Sequence, residues 1–240
     1  MRSSVFNRLA NRAVVGFAAA SLRRRLAYPP SETALLLVGA QSDLLRSADT
    51  VSALARVLAM ARAAGLTVIY APAARPSSRE VIRFPTPSQR AILVDGLLTP
   101  GSAGAEIHRA LSPQPGELVM APHASLSAFA RTRLATRLSE LRIRRIVVAG
   151  ARTDVEVDST VRDAVELGLQ TTVVVDCCIG TSPENHRATS SITLPRIVHG
   201  VLKLDEIGRR LSPHFSTAGN GDAMIHAGPE ATVQRQSQRC

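Results

Sequence analysis

Thr33-Ala34-Leu35-Leu36-Leu37-Val38 is the stretch of sequence that decides the fold. It is an almost unbroken apolar run, a pattern typical of a strand that is buried on both faces of a parallel sheet. Similar short runs recur along the chain, and segments with helical periodicity separate them. This alternation predicts an α/β fold in which helices cover both faces of a parallel sheet. The predicted strands are 33–38, 67–70, 117–120, 145–149, 171–175 and 197–201.

The segments between these strands carry apolar residues at helical spacing, as at Val51, Leu54, Leu58 and Ala61. One long connection, residues 71–104, is instead rich in Pro, Ser and Gly and predicts a partly ordered excursion. The predicted helices are 50–64, 105–111, 131–141, 155–167 and 183–194.

The chain divides into three segments. Residues 1–30 predict a basic helical arm, because residues 1–31 contain six arginines and no acidic residue. Residues 31–212 predict one α/β domain, whereas residues 213–240 are polar and Gly-rich and predict a disordered tail. The arm is expected either to pack as a structural helix or to bind an acidic surface.

Composition excludes several classes of protein. Apolar residues make up 45% of the 240 residues, which excludes a disordered chain, and no apolar run approaches the roughly 18 residues that span a bilayer. The net charge of +10 comes almost entirely from arginine, a bias that we do not interpret as nucleic-acid binding. Three cysteines make no disulfide framework, so a cytoplasmic setting is expected. There is no Gly-rich dinucleotide or phosphate-loop motif, so no cofactor is expected.

Six motifs occur along the chain in this order: GSAGAEIH (101–108), PGELV (115–119), SAF (127–129), VVAG (147–150), STVRDA (159–164) and VVDCC (174–178). Taken together, they resemble the isochorismatase-like (cysteine hydrolase) superfamily over about residues 33–207. The resemblance implies a Rossmann-like three-layer sandwich with a six-stranded parallel sheet. It also implies a small-molecule ligand and a homodimer or larger homo-oligomer.

The catalytic residues of that superfamily are replaced in this chain. Its hydrolases use Asp, Lys and Cys at three strand ends, with the Cys thiolate as the nucleophile. The matching positions here hold Gly39, His123 and Glu156, which excludes thiolate chemistry at this site. The metal-binding branch of the superfamily carries histidines after the second strand, where residues 71–76 contain none, so no metal is expected.

The replacement residues themselves predict a different chemistry. His123 and Glu156 are expected at neighbouring strand ends, where an imidazole and a carboxylate can exchange protons near neutral pH. We therefore predict an enzyme that acts on a small metabolite by Cys-independent acid/base chemistry, with Asp154 or Arg152 orienting the substrate. The resemblance also implies a cis peptide bond between Ala151 and Arg152. Four residues are predicted to bind substrate. These four are Gly39, which would enlarge the pocket, Ser125, Phe129 and Arg152.

The alternative is a catalytically silent homologue that serves as an oligomeric scaffold or binds a ligand. In that case Glu156 and Asp154 are ion-pair partners of Arg152 or Arg131 rather than catalytic groups. A hydrogen bond between His123 and Glu156 beside an open cavity favours the enzyme. A Glu156 carboxylate fixed to an arginine favours the silent homologue.

Overall fold

The computed structural model describes residues 26–76 and 84–211. The predicted N-terminal arm, up to residue 25, and the predicted tail at 213–240 lie outside the described residues. Across the part of the chain that is described, no helix is long and apolar enough to cross a membrane.

Six parallel strands form one sheet, in the order β3-β2-β1-β4-β5-β6. Helices connect the strands, and the predicted α/β fold with a six-stranded parallel sheet is confirmed. The strands are β1 (Thr33–Val38), β2 (Thr67–Ala71), β3 (Leu118–Val119), β4 (Arg145–Ala151), β5 (Gln170–Ile179) and β6 (Gly200–Leu202). The α-helices are α1 (Ala48–Ala63), α2 (Pro87–Val94), α3 (Leu134–Glu140), α4 (Asp158–Glu166), α5 (Pro183–Ala188) and α6 (Leu204–Leu211).

Burial of the central strands explains why the apolar runs specify this sheet. All six residues of β1 are buried between β2 and β4. Each fully buried leucine side chain contributes about 1.5–3 kcal/mol relative to an exposed one. Helix α1 begins after Ser47, whose hydroxyl accepts a hydrogen bond from the Thr50 amide, and it buries a stripe of apolar residues that includes Leu54 and Leu58.

The helix predicted over 105–111 is wrong. Only a 3₁₀ turn, Arg109–Leu111, is present there. The preceding backbone bonds instead to the chain that follows β1: Gln41 donates to the Ala105 carbonyl at 2.8 Å, and the His108 amide donates to the Ala40 carbonyl at 2.9 Å. Backbone groups that are used in these contacts are not available for helical hydrogen bonds.

The excursion predicted over 71–104 contains helix α2, which the sequence reading missed. The helix begins with a reciprocal capping box between Thr86 and Gln89, and Pro87 occupies its first turn. The last strand begins later than predicted, at Gly200, because the Ile197 and Val198 amides donate back to the Leu194 carbonyl at 3.0 Å and are not available for the sheet.

Candidate functional site

Gly39 directly follows β1 and packs tightly against its neighbours. Its φ is +56°, and a Cβ atom there would lie 2.5 Å from the Ala151 carbonyl oxygen and 3.1 Å from Leu44 Cδ1. The backbone of Ala151 and the side chain of Leu44 thus occupy the space into which a side chain would extend. This backbone does not accept an aspartate at position 39, and the glycine leaves close packing there rather than an open pocket.

His123 lies beyond β3, where a bridge to Ala73 extends the pairing of β3 with β2. The ring is 7% exposed, and its Nδ1 lies 3.0 Å from the Ser125 carbonyl oxygen. Because a carbonyl only accepts, Nδ1 carries the proton and the neutral ring keeps a lone pair on Nε2. Within the described residues, that buried Nε2 has no hydrogen-bond partner.

The environment keeps His123 neutral. Burial lowers the pKa of His123 below its ordinary value of 6.5, while the Ser125 carbonyl and the charge of Glu156 act in the opposite direction. Burial is the largest of these effects, so the imidazole is neutral at neutral pH and its Nε2 is a hydrogen-bond acceptor. Ser125 contributes the carbonyl oxygen that accepts the hydrogen bond from His123 Nδ1.

Glu156 is fixed by Arg152. It lies in a turn of π-helix, Thr153–Val157, directly after β4, and it is 3% exposed. Arg152 donates to one Glu156 carboxylate oxygen from Nε at 2.9 Å and to the other from Nη2. The Arg152 amide also donates to Glu156 Oε2, at 3.3 Å. The peptide bond between Ala151 and Arg152 is cis, as expected.

The structure therefore brings Glu156 together with Arg152 and not with His123. Both carboxylate oxygens of Glu156 bond to the guanidinium, and in the described chain no hydrogen bond joins Glu156 to His123. The charge of Glu156 still acts on the imidazole, because it offsets part of the lowering of the His123 pKa that burial causes.

Helix α2 covers this arrangement. Arg152 Nη1 donates to the Ser88 carbonyl at 3.4 Å, and Gln89 Nε2 donates to the Ala124 carbonyl at 3.1 Å. Two consecutive residues of α2 thus contact the end of β4 and the loop beside His123. The sequence reading missed both residues. The Thr86 to Gln89 capping spacing was the available signal for this helix.

Asp154 bonds to the loop after β5. Its carboxylate accepts from the Thr181 amide at 2.8 Å and from the Thr181 hydroxyl. The adjacent Thr153 hydroxyl lies 2.8 Å from His186 Nδ1. Burial lowers the pKa of His186, and the charge of Asp154 opposes that shift. Asp154 thus links the π-helical turn to the loop that leads into α5.

Phe129 is half-buried and packs against the hydrophobic core. The loop that carries it is held by Thr160, whose hydroxyl accepts from the Ala128 amide at 3.0 Å. These contacts give Phe129 a packing role within the chain.

A cavity of about 630 Å³ lies at the carboxyl edge of the sheet, between the segment after β1, helix α2 and the β5–α5 loop. We call it the carboxyl-edge cavity. Its volume is typical of sites that bind small molecules. Arg152 is part of its wall, together with Leu44, Ile92, Cys178, Thr181 and His186.

The two cysteines of the described residues are buried. Cys178 is buried, and burial raises the pKa of its thiol to about 12, so the thiol is protonated at neutral pH. Burial also raises the pKa of Cys177. In residues 26–76 and 84–211, no group of three or more His, Cys, Asp or Glu side chains is arranged to hold a metal ion.

Known proteins are similar to this chain in sequence and in architecture. The isochorismatase domain model matches residues 33–193. The ureidoacrylate amidohydrolase RutB of Pantoea ananatis is 29% identical over an alignment of 185 positions, which covers 66% of this chain and 74% of that protein. A cysteine hydrolase from Pseudomonas syringae pv. phaseolicola has the same fold, with a TM-score of 0.66 and 24% identity over 78% of this chain and 95% of that one. An isochorismatase family protein from Desulfovibrio vulgaris superposes with a TM-score of 0.63 and 25% identity, over 73% of this chain and 95% of that one. This chain belongs to the isochorismatase family.

Proposed function

We propose that this protein binds a small-molecule ligand without hydrolysing it, as a catalytically silent member of the isochorismatase family. One observation carries the proposal: the Glu156 carboxylate, at the position of the family's nucleophile, is buried and fixed by both oxygens to Arg152. A carboxylate held in this way is neither a thiolate nor a free general base.

The other two replaced positions support the same proposal. A Cβ atom on Gly39 would lie 2.5 Å from the Ala151 carbonyl oxygen and 3.1 Å from Leu44 Cδ1, so a side chain at this position requires these neighbours to move. The buried Nε2 of His123 carries a lone pair and no positive charge, unlike the ammonium of the family's lysine. None of the three positions keeps its ancestral chemistry.

The carboxyl-edge cavity is the proposed ligand site. Ligands of parallel α/β sheets bind beyond the carboxyl ends of the strands, which is where this cavity lies. His186 and Arg152 give it polar groups, while Leu44 and Ile92 give it apolar surface. Homo-oligomeric assembly and a cytoplasmic setting remain predictions.

The test is an assay of the purified full chain with ureidoacrylate and a panel of small amides, measuring ammonia release. We expect no turnover above the buffer blank. Turnover that Glu156→Gln abolishes, and that the matched surface variant Asp158→Asn leaves intact, would overturn the proposal. A thermal-shift screen of small metabolites then tests ligand binding directly.

A second candidate function is general-base catalysis by His123, and the lone pair on Nε2 favours it. Glu156 would then act only through its charge. If a substrate is found, this hypothesis predicts that His123→Gln lowers kcat by at least about 10²-fold while the protein stays folded. His199→Gln is the control, because that histidine bonds to the Thr171 amide, away from the site. An unchanged kcat in His123→Gln excludes the second candidate.

A further inference from the structure

A second cavity, of about 360 Å³, lies at the edge of the sheet beside β3. We call it the β3-edge cavity. β3 is an outer strand that pairs only with β2 among the described strands. Part of the cavity wall is apolar: Leu118 is half-buried and Val119 is 46% exposed, while Met120 is buried. The rest of the wall comes from residues 121–123 and from the segment that leads into α3.

Three arginines line this cavity, and no acidic residue does. Arg137 pairs with Glu140 at 2.7 Å, whereas Arg131 and Arg133 are exposed and have no acidic partner among the described residues. Some other exposed arginines are paired, as Arg162 is with Asp158 and Arg187 with Glu184, and others, such as Arg142 and Arg196, have no acidic partner among the described residues. What distinguishes Arg131 and Arg133 is that they line a cavity beside apolar side chains.

The combination of an apolar wall with unpaired guanidinium groups points to a specific class of ligand. A guanidinium binds a carboxylate with two parallel hydrogen bonds, and Leu118, Val119 and Met120 offer contact to an apolar body. The volume lies at the lower end of the range for small-molecule sites. A two-residue strand offers too few backbone groups to pair with an extended peptide.

We propose that the β3-edge cavity binds a small organic carboxylate with an apolar body, through Arg131 and Arg133. This site is separate from the carboxyl-edge cavity. Binding at the β3-edge cavity does not rest on the proposed function, because neither Arg152 nor Glu156 lines this cavity. His123 belongs to the wall of the β3-edge cavity, so a bound ligand would lie close to one of the replaced catalytic positions.

Titration of the full chain with phenylacetate, followed by calorimetry, tests the proposal. We expect saturable binding of one molecule per chain, and the affinity should fall as salt is added because the pairs are solvent-exposed. Phenylacetamide has the same shape without the charge and should bind about tenfold more weakly. The double variant Arg131→Gln/Arg133→Gln should lose about tenfold in affinity for phenylacetate.

The matched control is Arg142→Gln. Arg142 is exposed and has φ +57°, close to the +61° of Arg131, but it lies outside the cavity. Binding that survives this substitution and weakens in the double variant supports the proposal, provided that thermal melts show both proteins folded. Three results would overturn it: no saturable binding, equal affinity for phenylacetamide, or equal losses in the control and the double variant. A dimer, measured by light scattering, that only the double variant dissociates would also overturn it, since a second copy would then occupy the face.

Discussion

Two arginine–carboxylate pairs lie close together along the chain and differ above all in their burial. Arg152 with Glu156 and Asp158 with Arg162 both span four residues, the spacing at which side chains meet on a helix. The side chains of the first pair are 11% and 4% exposed, whereas those of the second are 49% and 19% exposed. Only the first pair directly follows a buried strand end.

This difference in burial determines what each pair does. A surface pair at helical spacing contributes about 0.3–0.5 kcal/mol. In a buried pair each charge depends on the other, because a single charge left without water or a partner is costly. Arg152 and Glu156 therefore act as one unit directly after β4, while Asp158 and Arg162 can be changed independently.

Arg152→Ala is the largest expected effect. It leaves the buried Glu156 carboxylate without its partner, and we expect the free energy of unfolding to fall by about 3–5 kcal/mol. Arg162→Ala should change it by no more than about 0.5 kcal/mol. Urea denaturation of the two variants measures both values. Similar losses in the two variants would contradict the distinction between the pairs.

Two glycines with similar positive φ angles allow a second comparison between a crowded and an open position. Gly39 and Gly96 have φ of +56° and +66°, but a Cβ atom on Gly96 meets nothing within 4 Å. Gly96→Ala should cost about 1–2 kcal/mol, the penalty for a left-handed residue. Gly39→Ala should lower the free energy of unfolding by about 1–3 kcal/mol more than Gly96→Ala does, because the Ala151 carbonyl must move. Equal thermal stability of the two variants would show that the strand end relaxes freely.

Asp154→Ala should have a smaller effect. Asp154 is half-buried and accepts two hydrogen bonds from Thr181, so we expect a loss of about 1–2 kcal/mol in the free energy of unfolding. The substitution should also lower the pKa of His186 further, since the charge of Asp154 holds that pKa up. An NMR titration of His186 measures the shift. Asp163→Ala is the control, and an unchanged His186 in Asp154→Ala would contradict the assignment.

The sequence predicted the strands best where burial on both faces leaves one solution. β1 and β4 were placed from apolar runs, because a strand in the middle of a parallel sheet needs apolar side chains on each side. The helix predicted at 105–111 failed because a distant residue, Gln41, bonds to that backbone. Local periodicity contains no information about such a partner.

The sequence left open whether Glu156 pairs with His123 or with an arginine, and the structure pairs it with Arg152. The motifs located His123, Asp154 and Glu156 at strand ends. Asp154 and Glu156 are two residues apart on one turn, yet one bonds to Thr181 and the other to Arg152. The directions of these side chains depend on the π-helical turn and on the loop after β5, which the sequence pattern does not specify.

The smallest expected effect is the dependence of stability on pH, which tests the buried His123 imidazole. The pKa of His123 is lower in the folded protein than its ordinary value of 6.5, so the unfolded chain binds more protons below that pH. Stability should therefore fall as the pH drops from about 7 through 6.5 and below, by at most about 1.4 kcal/mol per pH unit for this group. His123→Gln should flatten part of that slope between pH 7 and 5, and His186→Gln another part, since burial also lowers the pKa of His186. Urea denaturation across this range measures the slopes. If His123→Gln keeps the full slope of the wild type, the pKa of His123 is not lowered in the folded protein, and burial does not govern the protonation of this imidazole.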